Sequence, residues 1–173
     1  MRITNKTIEK ALGVKVIPFF HSLGIDCASR TGWCKIKSDA IACELEYGFV
    51  DIDTKDLYQK YDYMIKFFTS LINKELNIII IEDTFLRFNV NVLKKLSRFG
   101  MIPYILGQQQ GINRIFISPS EARKQLGLPS NKKKEIVHKD FIKKLKLEFD
   151  DEDVIDAWVL ALNGVTKSKQ GIL

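Results

Sequence analysis

The sequence predicts an α/β domain: a mixed five-stranded sheet, made of an antiparallel meander plus two parallel strands, flanked by helices. Two observations carry that reading. Three strand-like stretches, residues 17–27, 33–37 and 40–52, follow one another across short turns at Arg30-Thr31-Gly32 and Ser38-Asp39, as in a meander. Residues 54–76 then have helical period and separate two apolar runs. A helix between two buried strands implies a right-handed crossover and parallel pairing.

The first apolar run, Ile17 to Ile25, is broken only by His21, Ser22 and Gly24 and ends in Asp26. Such a run belongs to a strand buried on both faces, mid-sheet. Residues 40–52 alternate instead, with Cys43, Leu45, Tyr47 and Phe49 on one face and Glu44 and Glu46 on the other, the pattern of a half-exposed strand. Thr54 reads as an N-cap, with Lys55 and Asp56 in the first turn. Leu57, Tyr61, Met64, Ile65, Phe68, Leu71 and Ile72 give the helix its apolar face. Residues 77–81 form the second buried strand, closed by Glu82-Asp83. A long helix from Asn89 or Asn91 to Gln110, kinked at Pro103 and stopped by Gly111, comes next; a strand over 101–106 is the alternative. Asn113 to Ile117 reads as a short strand, and Ser118-Pro119-Ser120-Glu121 opens a short helix that ends at Gly127. Residues 132–146 form a basic helix with Ile136, Val137, Phe141, Ile142 and Leu145 on its buried side, and residues 150–163 form the last helix. Residues 1–16 read as a leader with a short helix through Leu12, residues 166–173 as a tail, and residues 17–165 as one domain.

The composition narrows the partners. Of 173 residues, 46% are hydrophobic, which fits a globular protein and excludes disorder. Net charge is +6, a balance compatible with a polyanionic partner. Cys27, Cys34 and Cys43 are an odd number without paired CxxC spacing, so they read as reduced, buried thiols of a cytoplasmic protein. No apolar stretch reaches the roughly 18–20 residues that span a bilayer. Glu9, Lys10 and Lys15 break any signal-peptide core.

The chemistry lies in the carboxylates. Asp26 and Glu82 close the two strands expected to be parallel neighbours, so both should lie on one sheet edge. At the start of the last helix, Asp150, Asp151 and Glu152 suit the positive end of the helix dipole. Asp156 is a turn further in, beside the apolar run from Ala157, where it has no capping role. Asp153 and Asp156 share a helix face, and two like charges there repel unless a cation or a base sits between them. Asp26, Glu82, Asp153 and Asp156 together suggest a hard-cation site for Mg2+ or Mn2+, with no His/Cys cluster competing. Four carboxylates suffice for two ions, the arrangement used for in-line phosphodiester hydrolysis.

In order along the chain, this pattern resembles the RNase H-like fold, and in detail the RuvC family of Holliday junction resolvases. The residues that carry the resemblance are Gly24-Ile25-Asp26 with Thr31-Gly32-Trp33, Ile81-Glu82 with Phe85 three residues on, and Asp153-Val154-Ile155-Asp156-Ala157. Ser118-Pro119-Ser120 followed by Arg123-Lys124 resembles the phage branch, which would make the compartment a host cytoplasm. The residues before Asp26 are more numerous than in the bacterial pattern. The resemblance implies a homodimer that binds a four-way DNA junction and nicks two strands symmetrically with Mg2+ or Mn2+. It makes Asp26, Glu82, Asp153 and Asp156 the metal ligands and residues 89–110 the dimer helix, with Val90, Leu93, Phe99 and Met101 at the interface or on the sheet. Phe85 matches an aromatic that pushes into the junction, a core or interface phenylalanine being the other reading. Arg87, Arg114, Arg123, Lys124, Lys132, Lys133 and Lys134 are the candidates for phosphate contact. His21 and His138 read as structural or surface residues. The rivals are an RNase H-type or flap nuclease on the same fold, a non-catalytic DNA-binding protein, and, from Gly24-Ile25-Asp26-Cys27-Ala28-Ser29, an actin-like phosphate loop.

Overall fold

Four successive isoleucines, Ile78 to Ile81, are all buried, because their strand has helices over both faces. The computed structural model describes residues 1–28, 30–83, 90–147 and 150–167, with the side chains of residues 90–92 and 95 outside the description. Its elements in chain order are β1 (Arg2–Thr4), α1 (Asn5–Leu12), β2 (Lys15–Val16), β3 (His21–Asp26), β4 (Arg30–Ser38), β5 (Ala42–Asp51), α2 (Leu57–Leu71), β6 (Ile78–Glu82), α3 (Val90–Gln109), β7 (Asn113–Ile117), α4 (Pro119–Gln125), α5 (Lys134–Leu145), α6 (Glu152–Val165) and β8 (Thr166–Lys167).

The main sheet runs β1-β5-β4-β3-β6-β7, and β2 pairs with β8 in a separate two-stranded ribbon. β3, β4 and β5 form the antiparallel meander, and β6 and β7 continue parallel to β3. The sheet therefore has one strand more than the sequence suggests. Arg2–Thr4 pairs antiparallel with Ala42–Glu44, and α1 adds Ile8 and Leu12 to the core, so the leader is built into the fold. Three residues are too short a run for period-2 alternation to reveal a strand.

The side chains sort by parity. Leu23, Ile25, Ile79 and Ile81 face a core built with α2 and α3, which includes Met64, Phe68 and Phe99. Ile78, Ile80, Cys34 and Ile36 face the opposite core, which contains α6 and the buried sides of α1, α4 and α5. On that second face β3 presents only Ser22, Gly24 and Asp26. α6 exploits this gap: a Cβ added at Gly24 would lie 2.1 Å from the Ala157 carbonyl oxygen and 2.4 Å from the Ala161 nitrogen. Ser22 Oγ donates to the Ala161 carbonyl at 2.6 Å, so the one buried hydroxyl on this strip is satisfied. From Val154 to Val165 every residue of α6 is buried.

Several local expectations change. Arg30, Thr31 and Gly32 are the first residues of β4, not a turn, because Gly32 pairs with Asp26 and lies beneath the Asp153 backbone. The cap of α2 is Asp56, whose carboxylate accepts from the Tyr58 and Gln59 amides; Thr54 Oγ1 accepts instead from the Asp56 amide. Tyr47 and Phe49 are exposed although they share a strand face with buried Cys43 and Leu45. Ile136 is also exposed, and the buried stripe of α5 is Val137, His138, Phe141 and Leu145. Pro103 does lie inside one long helix, and Gly111 beyond its end has φ +73°. Among the described residues no helix is long and apolar enough to cross a membrane.

The β3–α6 contact has no spare room. Gly24→Ala should lower unfolding free energy by about 3 kcal/mol or more, because backbone atoms cannot rotate out of the way. A urea melt of the variant against the parent checks this, and an unchanged midpoint would mean that α6 can lift off β3 at little cost.

Candidate active site

Asp26 ends β3 and Glu82 ends β6, and both strands run parallel with Ile25 in register with Ile81. Asp26 and Glu82 have the same parity as Ser22, Gly24, Ile78 and Ile80, so both project towards α6. Asp156 stands one residue before Ala157, the residue that packs against Gly24. Carboxylate oxygens of Asp26, Glu82 and Asp156 consequently lie within 4.8 Å of one another. The expected convergence of these three is present.

Asp153 is placed differently. Its backbone lies over Gly32 of β4, and its carboxylate accepts from Arg30 Nη1 at 2.6 Å. Arg30 also pairs with Asp151, the N-cap of α6. The guanidinium of Arg30 lies 3.4 Å over the ring of Phe49, a cation–π contact that fixes it from the other side. The sequence suggested a four-carboxylate edge; the structure brings three together and gives the fourth to an arginine. The cause is helical geometry. One turn of α6 separates Asp153 above β4 from Asp156 above β3 and β6.

Electrostatics in the cluster are one-sided. Burial, reinforced by Asp156 and Asp153, pushes the Asp26 carboxyl up to about 7. Burial, followed by Asp26 and Asp156, pushes Glu82 up to about 8. Asp156 is buried too, which alone would raise it. A hydrogen bond from His138 and the Lys134 ammonium outweigh burial and hold it below the usual carboxylate range. Lys134 Nζ is 2.6 Å from Asp156 Oδ2, His138 Nε2 is 2.8 Å from Oδ1, and Arg123 Nη2 is 3.4 Å from Oδ1. Two carboxyls are thus crowded and short of positive charge, and the third is well supplied.

The three acids open into a cleft of about 570 Å³. Basic lining comes from Lys132, Lys133, Lys134 and Arg123, and Ser118, Ser120, Ser130 and Asn131 also line the cleft. Lys124 is exposed and is not part of this lining. Arg114 lies towards the opposite end of β7, in register with Ile79, where it donates to the Ile112 carbonyl and stacks on Tyr104. Phe85 and Arg87 lie outside the described residues. Of the α3 candidates, Phe99 is buried in the core against Tyr61, Met101 is exposed, and Leu93 is half-buried.

Two participants escape a sequence reading. Arg30 is assigned to a turn by its Arg-Thr-Gly context. His138 has the stronger signal, since it shares the buried stripe with Phe141 and Leu145, three and seven residues on. Its partner on α6 is visible only in three dimensions.

The donor set is all oxygen, buried and net negative, which suits a hard divalent cation. Among curated proteins none matches the chain by sequence. Two solved structures match across 86% of this chain and 99% of their own: the RuvC of Thermus thermophilus in complex with a Holliday junction substrate, at 14% identity and TM-score 0.70, and T. thermophilus RuvC itself, at 14% and 0.69. At this identity the likeness is one of fold. The family profile described as "Crossover junction endodeoxyribonuclease RuvC" matches residues 22–164, a span that holds Asp26, Glu82 and Asp156 together with the strands and helix that position them. By that match the chain belongs to the RuvC family of crossover junction endodeoxyribonucleases.

Proposed function

We propose that the protein resolves four-way DNA junctions by paired, symmetric hydrolysis of phosphodiester bonds, with Asp26, Glu82 and Asp156 holding Mg2+ or Mn2+. The observation that carries this is the meeting of three carboxylates from β3, β6 and α6 in a cleft that lysines and an arginine also line. A bound divalent ion supplies Lewis-acid stabilisation of charge on the phosphate and lowers the pKa of the attacking water. The chain's own residues do the rest. Lys132, Lys133 and Arg123 draw the phosphodiester backbone to the cleft, and Lys134 neutralises Asp156 until substrate competes for its ammonium. Asp153 is a further ligand once Arg30 gives it up, two ions per site being the full complement. Arg114 and Lys124, outside the cleft lining, serve DNA further away; Arg87 and Phe85 are assigned to DNA from the sequence, an aromatic being able to stack on an unpaired base.

Paired nicks need two sites related by a two-fold axis, as a junction itself has. The exposed Met101 and Ile105 on α3 and Phe116 on β7 supply apolar surface for a homodimer. The solved relative bound to a junction supports the same substrate class here. Junctions would be chosen by shape and ease of distortion rather than by base contacts. The nuclease domain takes residues 17–165 together with the β1, α1 and β2 leader and the β8 strand that pack with them, and the Ser118-Pro119-Ser120 segment favours the phage branch of the family.

Asp26→Asn and Glu82→Gln should each lower junction cleavage by about 10³-fold, the equivalent of several kcal/mol of lost charge stabilisation, while gel-shift binding of the junction persists. Labelled junction, flap and RNA–DNA hybrid assayed side by side test the substrate. Preferential cutting of a flap or a hybrid would reassign it, and no metal-dependent nicking of any of them would leave a non-catalytic binding protein.

The raised carboxyls also set a pH signature. Asp26 and Glu82 have folded-state values near 7 and 8 against 3.8 and 4.5 for the free groups. Their contribution to stability is present below the unfolded values and is lost as pH rises through the folded ones. In chelator the melting temperature should therefore fall between about pH 5 and pH 9, and Mg2+ should raise it more at the upper end. A differential scanning series checks this. An Mg2+ response that does not grow with pH would detach these two carboxyls from ion binding.

A further inference from the structure

The proposed metal site leaves one buried group without a role. His138 is only 4% exposed, and its Nε2 lies 2.8 Å from Asp156 Oδ1. Its Nδ1 is buried and has no hydrogen-bond partner among the described residues. A ring with an acceptor at Nε2 and nothing at Nδ1 carries its proton on Nε2, because an ionised carboxylate can only accept. The ring is also fixed in place. It sits on α5 one turn before Phe141, which packs edge-on against Trp158 of α6 at 5.3 Å, so α5 and α6 are tied together beside the contact.

Lys134, one turn earlier on the same helix, holds the other oxygen of Asp156 at 2.6 Å, and the two groups differ in freedom. The Lys134 side chain is 37% exposed and ends a flexible stem that can swing into the cleft. His138 is enclosed. Oδ1 therefore faces two enclosed donors, His138 at 2.8 Å and the more distant Arg123 at 3.4 Å, and Oδ2 faces a group that can leave.

We propose that His138 is a positioning residue: it clamps Asp156 Oδ1 and so holds the carboxylate in the orientation it takes beside Asp26 and Glu82. This rests on the reading of the three carboxylates as a divalent-cation site. A carboxylate free to turn is tolerated better by Mn2+ than by Mg2+, since Mg2+ demands near-ideal octahedral geometry and dehydrates reluctantly. His138 then tunes which ion the site accepts, as well as how tightly.

The test is a set of three variants of the full chain. In His138→Gln the amide nitrogen can take the place of Nε2; in His138→Asn it reaches only as far as Nδ1; His138→Leu keeps bulk and removes every donor. Circular dichroism melts establish that each is folded, and if the leucine variant is not, the Gln/Asn comparison decides alone. Mn2+ binding is followed by calorimetry and by the loss of the free-ion electron paramagnetic resonance signal. Junction cleavage is measured in Mg2+ and in Mn2+. His138→Asn and His138→Leu should bind Mn2+ about 10–100-fold more weakly. Their cleavage should fall further in Mg2+ than in Mn2+, and His138→Gln should recover most of both. Parental affinity and an unchanged Mg2+/Mn2+ ratio in the asparagine or leucine variant would overturn the proposal, as would a folded glutamine variant no better than leucine. A parent chain that binds no Mn2+ would instead sink the metal site itself and this inference with it.

Discussion

Everything at the site depends on how closely α6 lies on β3. The strand faces the helix with a hydroxyl, a hydrogen atom and a carboxylate at Ser22, Gly24 and Asp26, and the helix answers with Ala157, Ala161 and Gly164. With no bulk on either surface, backbone meets backbone, and the packed array fixes where the helix begins as firmly as where it lies. The site then follows from length and pitch. Asp156 is carried to the mouth of the sheet, where the parallel partner β6 has already delivered Glu82 beside Asp26.

That placement is costly in the isolated chain. Two carboxyls are removed from water beside a third that stays ionised, and burial is the leading cause of their altered proton affinity. The fold offsets only part of the crowding, by directing Lys134, Arg123 and His138 to Asp156. Asp26 and Glu82 receive no comparable contact among the described residues. An unbalanced cluster of this kind is what a site for an external cation looks like before the cation arrives.

Much of this was legible in the residues. The four-isoleucine run and the mixed run before Asp26 announce strands covered on both faces, and the intervening helix settles their parallel pairing. Asp26 and Glu82 could be paired from that alone. Asp156 was legible because it falls inside an apolar segment where capping cannot explain it. The Arg30 pairing of Asp153 was not legible, because spacing on a helix says that two side chains share a face, but not which neighbour lies beneath each. Here a turn of helix spans the distance from β4 to β3, and Arg30, hidden in a sequence that reads as a turn, occupies the first position. The strand Arg2–Thr4 and the His138 contact were invisible for a related reason. Both depend on partners between 18 and 42 residues away that no local pattern identifies.

The contact between Ser22 and Ala161 joins residues 139 positions apart, and the acidic cluster closes across nearly the same span. Synthesis runs from the N-terminus, so the sheet can be complete, with Asp26 and Glu82 side by side, while α6 is still being made. A nascent or truncated chain of that kind has the basic lining and two of the acids but not the third. The three-acid cluster is therefore complete only once the last helix docks. Pairings of such long sequence separation are also slow to form, which makes the arrival of α6 the natural slow step in folding.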